Sequence, residues 1–96
     1  MDDAAQQLGA AADRIEELAA RTTPGQWRVQ GLLASRPEVV AHLPDGATEH
    51  VAEARARTAE WITTVSPALA GPLAAWLRSA HPTDERAVAV ARALLR

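Results

Sequence analysis

The chain contains no cysteine, no phenylalanine, no tyrosine and only one methionine, and all ten of its basic residues are arginine. Without cysteine there are no disulfides, no thiolate zinc sites and no thiol nucleophile. Without Phe or Tyr, the 48% hydrophobic content is built mainly from Ala, Leu and Val, and three Trp are the whole aromatic complement. No apolar run approaches the roughly 20 residues that span a bilayer. No glycine-rich loop of the phosphate-cradling kind occurs. Neither sign of charge dominates: the formal net charge is −2, which leaves no electrostatic footprint for nonspecific binding to nucleic acid. The chain opens Met1-Asp2-Asp3, without the basic and apolar regions of a secretory leader, so a cytoplasmic location is expected.

Ninety-six residues predict a single domain over 1–96, since a chain this short has too little apolar surface for two separate cores. Alanine-rich helices pack closely but bury little area each, and one buried Trp removes on the order of 150–250 Å² from water. Marginal stability as a monomer is therefore expected. That favours a partner chain.

Residues 3–21 fit a helix. Leu8, Ala11, Ala12, Ile15, Leu18 and Ala19 recur at three- and four-residue spacing, Asp2 or Asp3 offers a cap, and Glu17 with Arg21 forms a favourable i,i+4 pair. Pro24 ends the helix, and Pro24-Gly25 signals a type II turn. Beyond it Trp27, Val29 and Leu33 share one face of a strand, with Gly31 as a bulge or bend. This arrangement predicts that Trp27 lies against the first helix as a core anchor. Val39, Ala41 and Leu43 alternate likewise. Leu43 to Thr48, "LPDGAT", is a hairpin turn built on Pro-Asp-Gly, and a third strand returns over 50–54. The alternative there is a helix from Thr48 onwards, because Val51, Ala54 or Arg55, Thr58, Ile62 and Val65 also fall at helical spacing.

A helix is expected near 57–65, and Ser66-Pro67 restarts the chain with serine as cap and proline in the first turn. Leu69, Leu73, Trp76, Leu77 and Ala80 form a stripe in which Gly71-Pro72 must kink the helix or shift its start. After His81-Pro82, Thr83 is expected to cap a last helix with Val88, Ala91, Leu94 and Leu95 as its apolar face. Asp84 and Glu85 lie at its positive end, and Arg92 and Arg96 at its negative end.

The segments "TTPGQWRV", "HVAEA", "AEWITTVSPALAGPLAAWL" and "AVAVARALL", in that order, resemble a group of small actinobacterial proteins frequent in streptomycete genomes and phage-related regions. That group carries TPGPW-x-V, a variable hairpin, a VA strand, A-x-x-I-A-x-x-x-P, A-x-W-L and ALAVARA-x-L. The resemblance covers most of the chain from Thr22 onwards. The chain departs from the pattern at Gln26, where the group has proline, and at Gly71-Pro72, within a helix usually unbroken. The resemblance implies a phage- or mobile-element-associated protein and carries over no ligand contact.

Chemistry finds few footholds. His42 and His50 flank the hairpin turn near Glu49 and Glu53, and His81 stands alone. None has the spacing or ligand count of a metal site, so neither metal nor cofactor is expected. Glu38 and Glu53 face each other across the hairpin, but exposed strand acids ordinarily keep a sheet edge soluble. Ser35, Ser66 and Ser79 lack a nucleophile-elbow context, and no constellation satisfies the geometry of acid–base or nucleophilic catalysis. Arg28, Arg36, Arg55 and Arg57 are the residues suited to a nucleic-acid contact, although the helix after Ser66-Pro67 lacks side chains that read base edges. Trp is enriched in binding hot spots. Trp61 and Trp76, with Leu73 and Leu77, are therefore the candidate interface.

These readings predict an α+β fold: an N-terminal helix, a three-stranded antiparallel meander, and two or three C-terminal helices packed on the sheet. They predict a non-enzymatic protein-interaction module, self-associating as a homodimer or other homo-oligomer. An accessory nucleic-acid-binding protein and a small-ligand-binding domain are the alternatives.

Overall fold

The computed structural model describes residues 3–31 and 36–96; Asp2, Leu33 and Ser35 lie outside them. The fold is α+β, in the order α1 (Asp3–Ala20), β1 (Gln26–Gln30), β2 (Glu38–His42), β3 (Thr48–Glu53), α2 (Ala56–Thr64), a 3-10 turn (Pro67–Leu69), α3 (Ala70–Ser79) and α4 (Glu85–Leu95). The chain divides into two compact units. One joins Met1–Arg21 to Leu69–Arg96, and the other is Thr22–Ala68. The second unit, which holds the sheet and α2, is inserted in sequence between α1 and α3.

In the helical unit, α3 and α4 both pack against α1. Leu8, Ala11 and Ala12 from α1, Ala74 and Leu77 from α3, and Ala87, Val88 and Ala91 from α4 form one buried cluster. The many alanines let the helix axes approach closely. Leu77 fills the centre and is fully buried. α3 starts at Ala70, so Gly71 and Pro72 fall in its first turn, where a proline costs no internal hydrogen bond. The proline thus shifts the helix start, one of the two outcomes foreseen. The shift also changes which face is buried. Ala70, Ala74 and Leu77 turn inward, while Leu69 and Trp76, expected in the apolar stripe, stay outside.

α4 is capped by Asp84, not by Thr83 as expected. Asp84 Oδ1 accepts from the N–H groups of Arg86 at 3.1 Å and Ala87 at 3.2 Å. Thr83 is one residue too early, inside the turn that His81 O closes with Asp84 N–H at 2.9 Å. Its own N–H and hydroxyl turn to His81 Nδ1 instead.

In the sheet unit the strands run antiparallel in the order β1-β2-β3. Gly25 has φ +93°, the left-handed value that the second central position of a type II turn requires. In the hairpin, Leu43 N–H bonds Ala47 O at 2.9 Å, Gly46 N–H bonds Leu43 O at 3.0 Å, and Asp45 Oδ1 accepts from Ala47 N–H at 2.9 Å. The Pro-Asp-Gly turn forms as foreseen. A bulge between Val39 and Val40 makes Val51 the extra residue on β3. The strand reading holds through Glu53, and the helical spacing from Val51 gives way to α2 only at Ala56.

The register places Trp27 opposite Ala41 and Val29 opposite Val39 on one face, with Arg28 opposite Val40 on the other. α2 packs on β1 and β2 and buries Ala59. Trp27 is half-buried rather than a fully enclosed anchor. It lies on a terminal strand of the sheet, where it gains cover from one side, and its Nε1–H donates to Thr23 O at 3.0 Å.

Candidate functional site

Three surfaces carry the residues singled out from sequence. The first is the outer side of α2. A helix advances about 100° per residue, so Trp61, two positions after buried Ala59, points away from the sheet. It is 67% exposed, and Val65, one turn later, is 43% exposed. The two therefore make an apolar strip with Thr64 beside it.

The second surface is on the helical unit. Trp76 of α3 is 42% exposed, as is Leu69 before it. Leu73 is only partly buried, packed against the core cluster. Leu77 was expected at the same interface, but it has no exposed surface and belongs to the core. The stripe predicted as one face is in fact split around the helix. Inside the protein the distribution is reversed. Of the thirteen buried hydrophobic residues among those described, eight are alanine, three valine and two leucine. Two of the three tryptophans, Trp61 and Trp76, are left at the surface, and the third, Trp27, is half-buried.

The third surface is where β2 begins and β3 ends. Ala54 N–H bonds Pro37 O at 3.2 Å and carries the strand pairing past Glu38 and Glu53, which stand directly opposite each other. Like charges so placed repel, and each has its own partner. Glu38 Oε2 lies 2.7 Å from His50 Nδ1, and Glu53 Oε2 lies 3.5 Å from Arg36 Nη1. A cleft of about 520 Å³ opens here, lined by Arg36, Pro37, Glu53, Ala54 and Arg55. Arg55 is the N-cap residue of α2 and makes no side-chain cap bond, and no acid occupies the first turn of that helix.

Of the four arginines considered for nucleic acid, Arg36 and Arg55 come together in this cleft, and Arg57 follows in the first turn of α2. Arg28 projects from the other face of β1 and bonds Gln26 Oε1 at 2.7 Å. The histidines do not converge. His42 Nε2 lies 3.1 Å from Gln30 Nε2, His50 serves Glu38, and His81 is engaged by Thr83. Among the described residues no group of three or more His, Asp or Glu is placed to hold a metal ion, and no helix is long and apolar enough to cross a membrane.

The sequence signal for the cleft was available but distributed. Arg36-Pro37 immediately precedes β2 and Glu53-Ala54-Arg55 immediately follows the body of β3, and a hairpin brings its two ends together. No family model, curated protein or solved structure matches the chain.

Proposed function

We propose that the protein is a non-enzymatic interaction module that acts by associating with a second copy of itself, and that it belongs, by its motif resemblance, to a phage- or mobile-element-associated setting. One observation carries this reading: eight of the thirteen buried hydrophobic residues among those described are alanine, while two of the three tryptophans, Trp61 and Trp76, lie exposed. A Trp left two-thirds in water forgoes the largest apolar burial this composition offers, and Trp is the residue type most enriched where protein surfaces meet. A small chain with an alanine core gains stability by joining a second one, because association adds the burial that folding alone has not supplied. A second copy is the partner this argument selects, since the deficit belongs to the chain itself. Trp61 with Val65 on α2, and Trp76 with Leu69 on the helical unit, are the two contact strips.

The test is light scattering coupled to size exclusion across a hundredfold range of concentration. The expected result is a mass of twice the monomer or a higher multiple, returning to the monomer in Trp61→Ala or Trp76→Ala while circular dichroism stays unchanged. A wild-type chain that remains monomeric throughout overturns self-association. An oligomer indifferent to both substitutions overturns the assignment of these strips.

A further inference from the structure

We propose that the cleft between the ends of β2 and β3 binds a small carboxylate with an apolar body. Its volume, about 520 Å³, lies within the range of small-molecule sites. The Pro37 O to Ala54 N–H bond ties the two strand ends together, so the pyrrolidine ring of Pro37 and the methyl of Ala54 form fixed apolar walls.

The charges in the cleft select the ligand. Arg36 and Glu53 pair with each other and cancel to first order. Arg55, on the same cleft, makes no ion pair among the described residues. One guanidinium is thus uncommitted, and its planar fork of donors matches the two oxygens of a carboxylate. A phosphate dianion fits less well, since it brings a second negative charge to a cleft that the Glu53 carboxylate also lines, with Arg55 the one unpaired cation among the residues lining it.

The placement of Arg55 and Arg57 points the same way. Both sit at the positive end of the α2 dipole with no acid in that turn, an arrangement disfavoured in the free protein and relieved by a bound anion. The ligand this cleft accepts is therefore a monoanion whose carboxylate meets Arg55 while its hydrocarbon part lies on Pro37 and Ala54. A free carboxylic acid and the C-terminus of a peptide both present that chemistry.

The experiment is an amide nitrogen–proton NMR titration of the full chain with butyrate, and with butyramide as an isostere of the same shape without charge. Butyrate is expected to shift the amides of Ala54, Arg55 and Ala56 saturably, and butyramide to leave them in place. Arg55→Gln should weaken butyrate binding about tenfold, the loss of one charge-assisted interaction, while Arg28→Ala, away from the cleft, should leave it unchanged. An N-acetylated dipeptide with a free C-terminus that binds more tightly than butyrate identifies a peptide terminus as the ligand, and one that binds no better identifies a free acid. Equal responses to butyrate and butyramide, shifts that never saturate, or an unaltered affinity in Arg55→Gln would overturn the proposal.

Discussion

Arg78 of α3 reaches Glu16 of α1 with Nη2 2.5 Å from Oε1, and the same nitrogen lies 2.7 Å from Asp13 Oδ1. One guanidinium therefore fastens α3 across a full turn of α1. The hydrogen bond from Arg78 holds the Glu16 carboxyl below its ordinary value of 4.5 against the opposing effects of partial desolvation and of Asp13. The hydrogen bonds it donates to Glu16 and Asp13 in turn push the Arg78 guanidinium further from deprotonation.

The Glu16 shift fixes a pH dependence. A carboxyl with a lowered folded value binds fewer protons in the folded chain than in the unfolded one, so its stabilisation is complete above about pH 4.5 and disappears as pH falls through the lowered value. Thermal melts between pH 3 and 7 should show wild type losing stability below pH 4.5 more steeply than Arg78→Gln. Because both side chains remain in contact with water, the difference should be modest and should shrink in 1 M salt. Parallel acid limbs for the two proteins would show that the contact does not couple to folding.

Leu77 and Trp61 should behave in opposite ways, although both were read from sequence as interface residues. Leu77→Ala removes a fully buried side chain from a cluster of alanines too small to collapse into the space, and is expected to cost about 2–5 kcal/mol in urea unfolding. For a domain whose total stability is on the order of 5–15 kcal/mol, that is a severe loss. Trp61→Ala, measured at a concentration where the chain is monomeric, is expected to change unfolding by no more than about 0.5 kcal/mol. A large loss at Trp61 in the monomer would mean that it packs within its own fold.

The contrast between these two residues shows what the sequence made legible. Turn chemistry was decisive where it was strong: Pro24-Gly25 and Pro44-Asp45-Gly46 punctuate the sheet unit, and the meander, its order and the facing of Glu38 and Glu53 follow from them. Periodicity was weaker on α3, because the large residues Leu69, Leu73, Trp76 and Leu77 read as a stripe while the face that packs on α1 is Ala70, Ala74 and Leu77. Closeness of approach, which favours alanine, outweighed side-chain size. Trp27 was read as an anchor because the Pro24-Gly25 turn and the alternation with Val29 would lay it against the first helix, whereas its place on a terminal strand leaves it half-buried. The cleft was hidden for another reason. Its residues are separated by the whole hairpin, and only the pairing of β2 with β3 brings Arg36 and Arg55 to one place.

Gly25 and Gly46 both have positive φ, +93° and +87°, but alanine should be tolerated unequally at the two. At Gly46 nothing lies within 4 Å of an added Cβ, so Gly46→Ala meets only the left-handed conformational penalty, about 1–2 kcal/mol. At Gly25 the same Cβ would stand 2.5 Å from His42 O, and a backbone carbonyl at the end of β2 cannot swing aside without disturbing the pairing of β1. Gly25→Ala is therefore expected to cost clearly more than Gly46→Ala in urea unfolding and to shift the β1 amide resonances. Equal costs would show that the turn before β1 relaxes freely.

Asp84 and Thr83 are adjacent, and either has a side chain able to cap α4, so geometry alone distinguishes them. Asp84 Oδ1 receives two first-turn N–H groups, and its charge lies at the positive end of the helix, where a carboxylate is favoured. Replacing it by alanine leaves both donors without their acceptor and is expected to cost about 1 kcal/mol. Asp84→Asn keeps the acceptor while removing the charge, and should recover most of that loss. Thr83→Ala gives up only the local bonds to His81, within a turn whose backbone closure from His81 O to Asp84 N–H remains, and should cost less than Asp84→Ala. Hydrogen exchange at the Arg86 and Ala87 amides separates the two cases directly: faster exchange is expected in Asp84→Ala and not in Thr83→Ala. The reverse pattern would return the cap to Thr83, the residue the spacing alone selects.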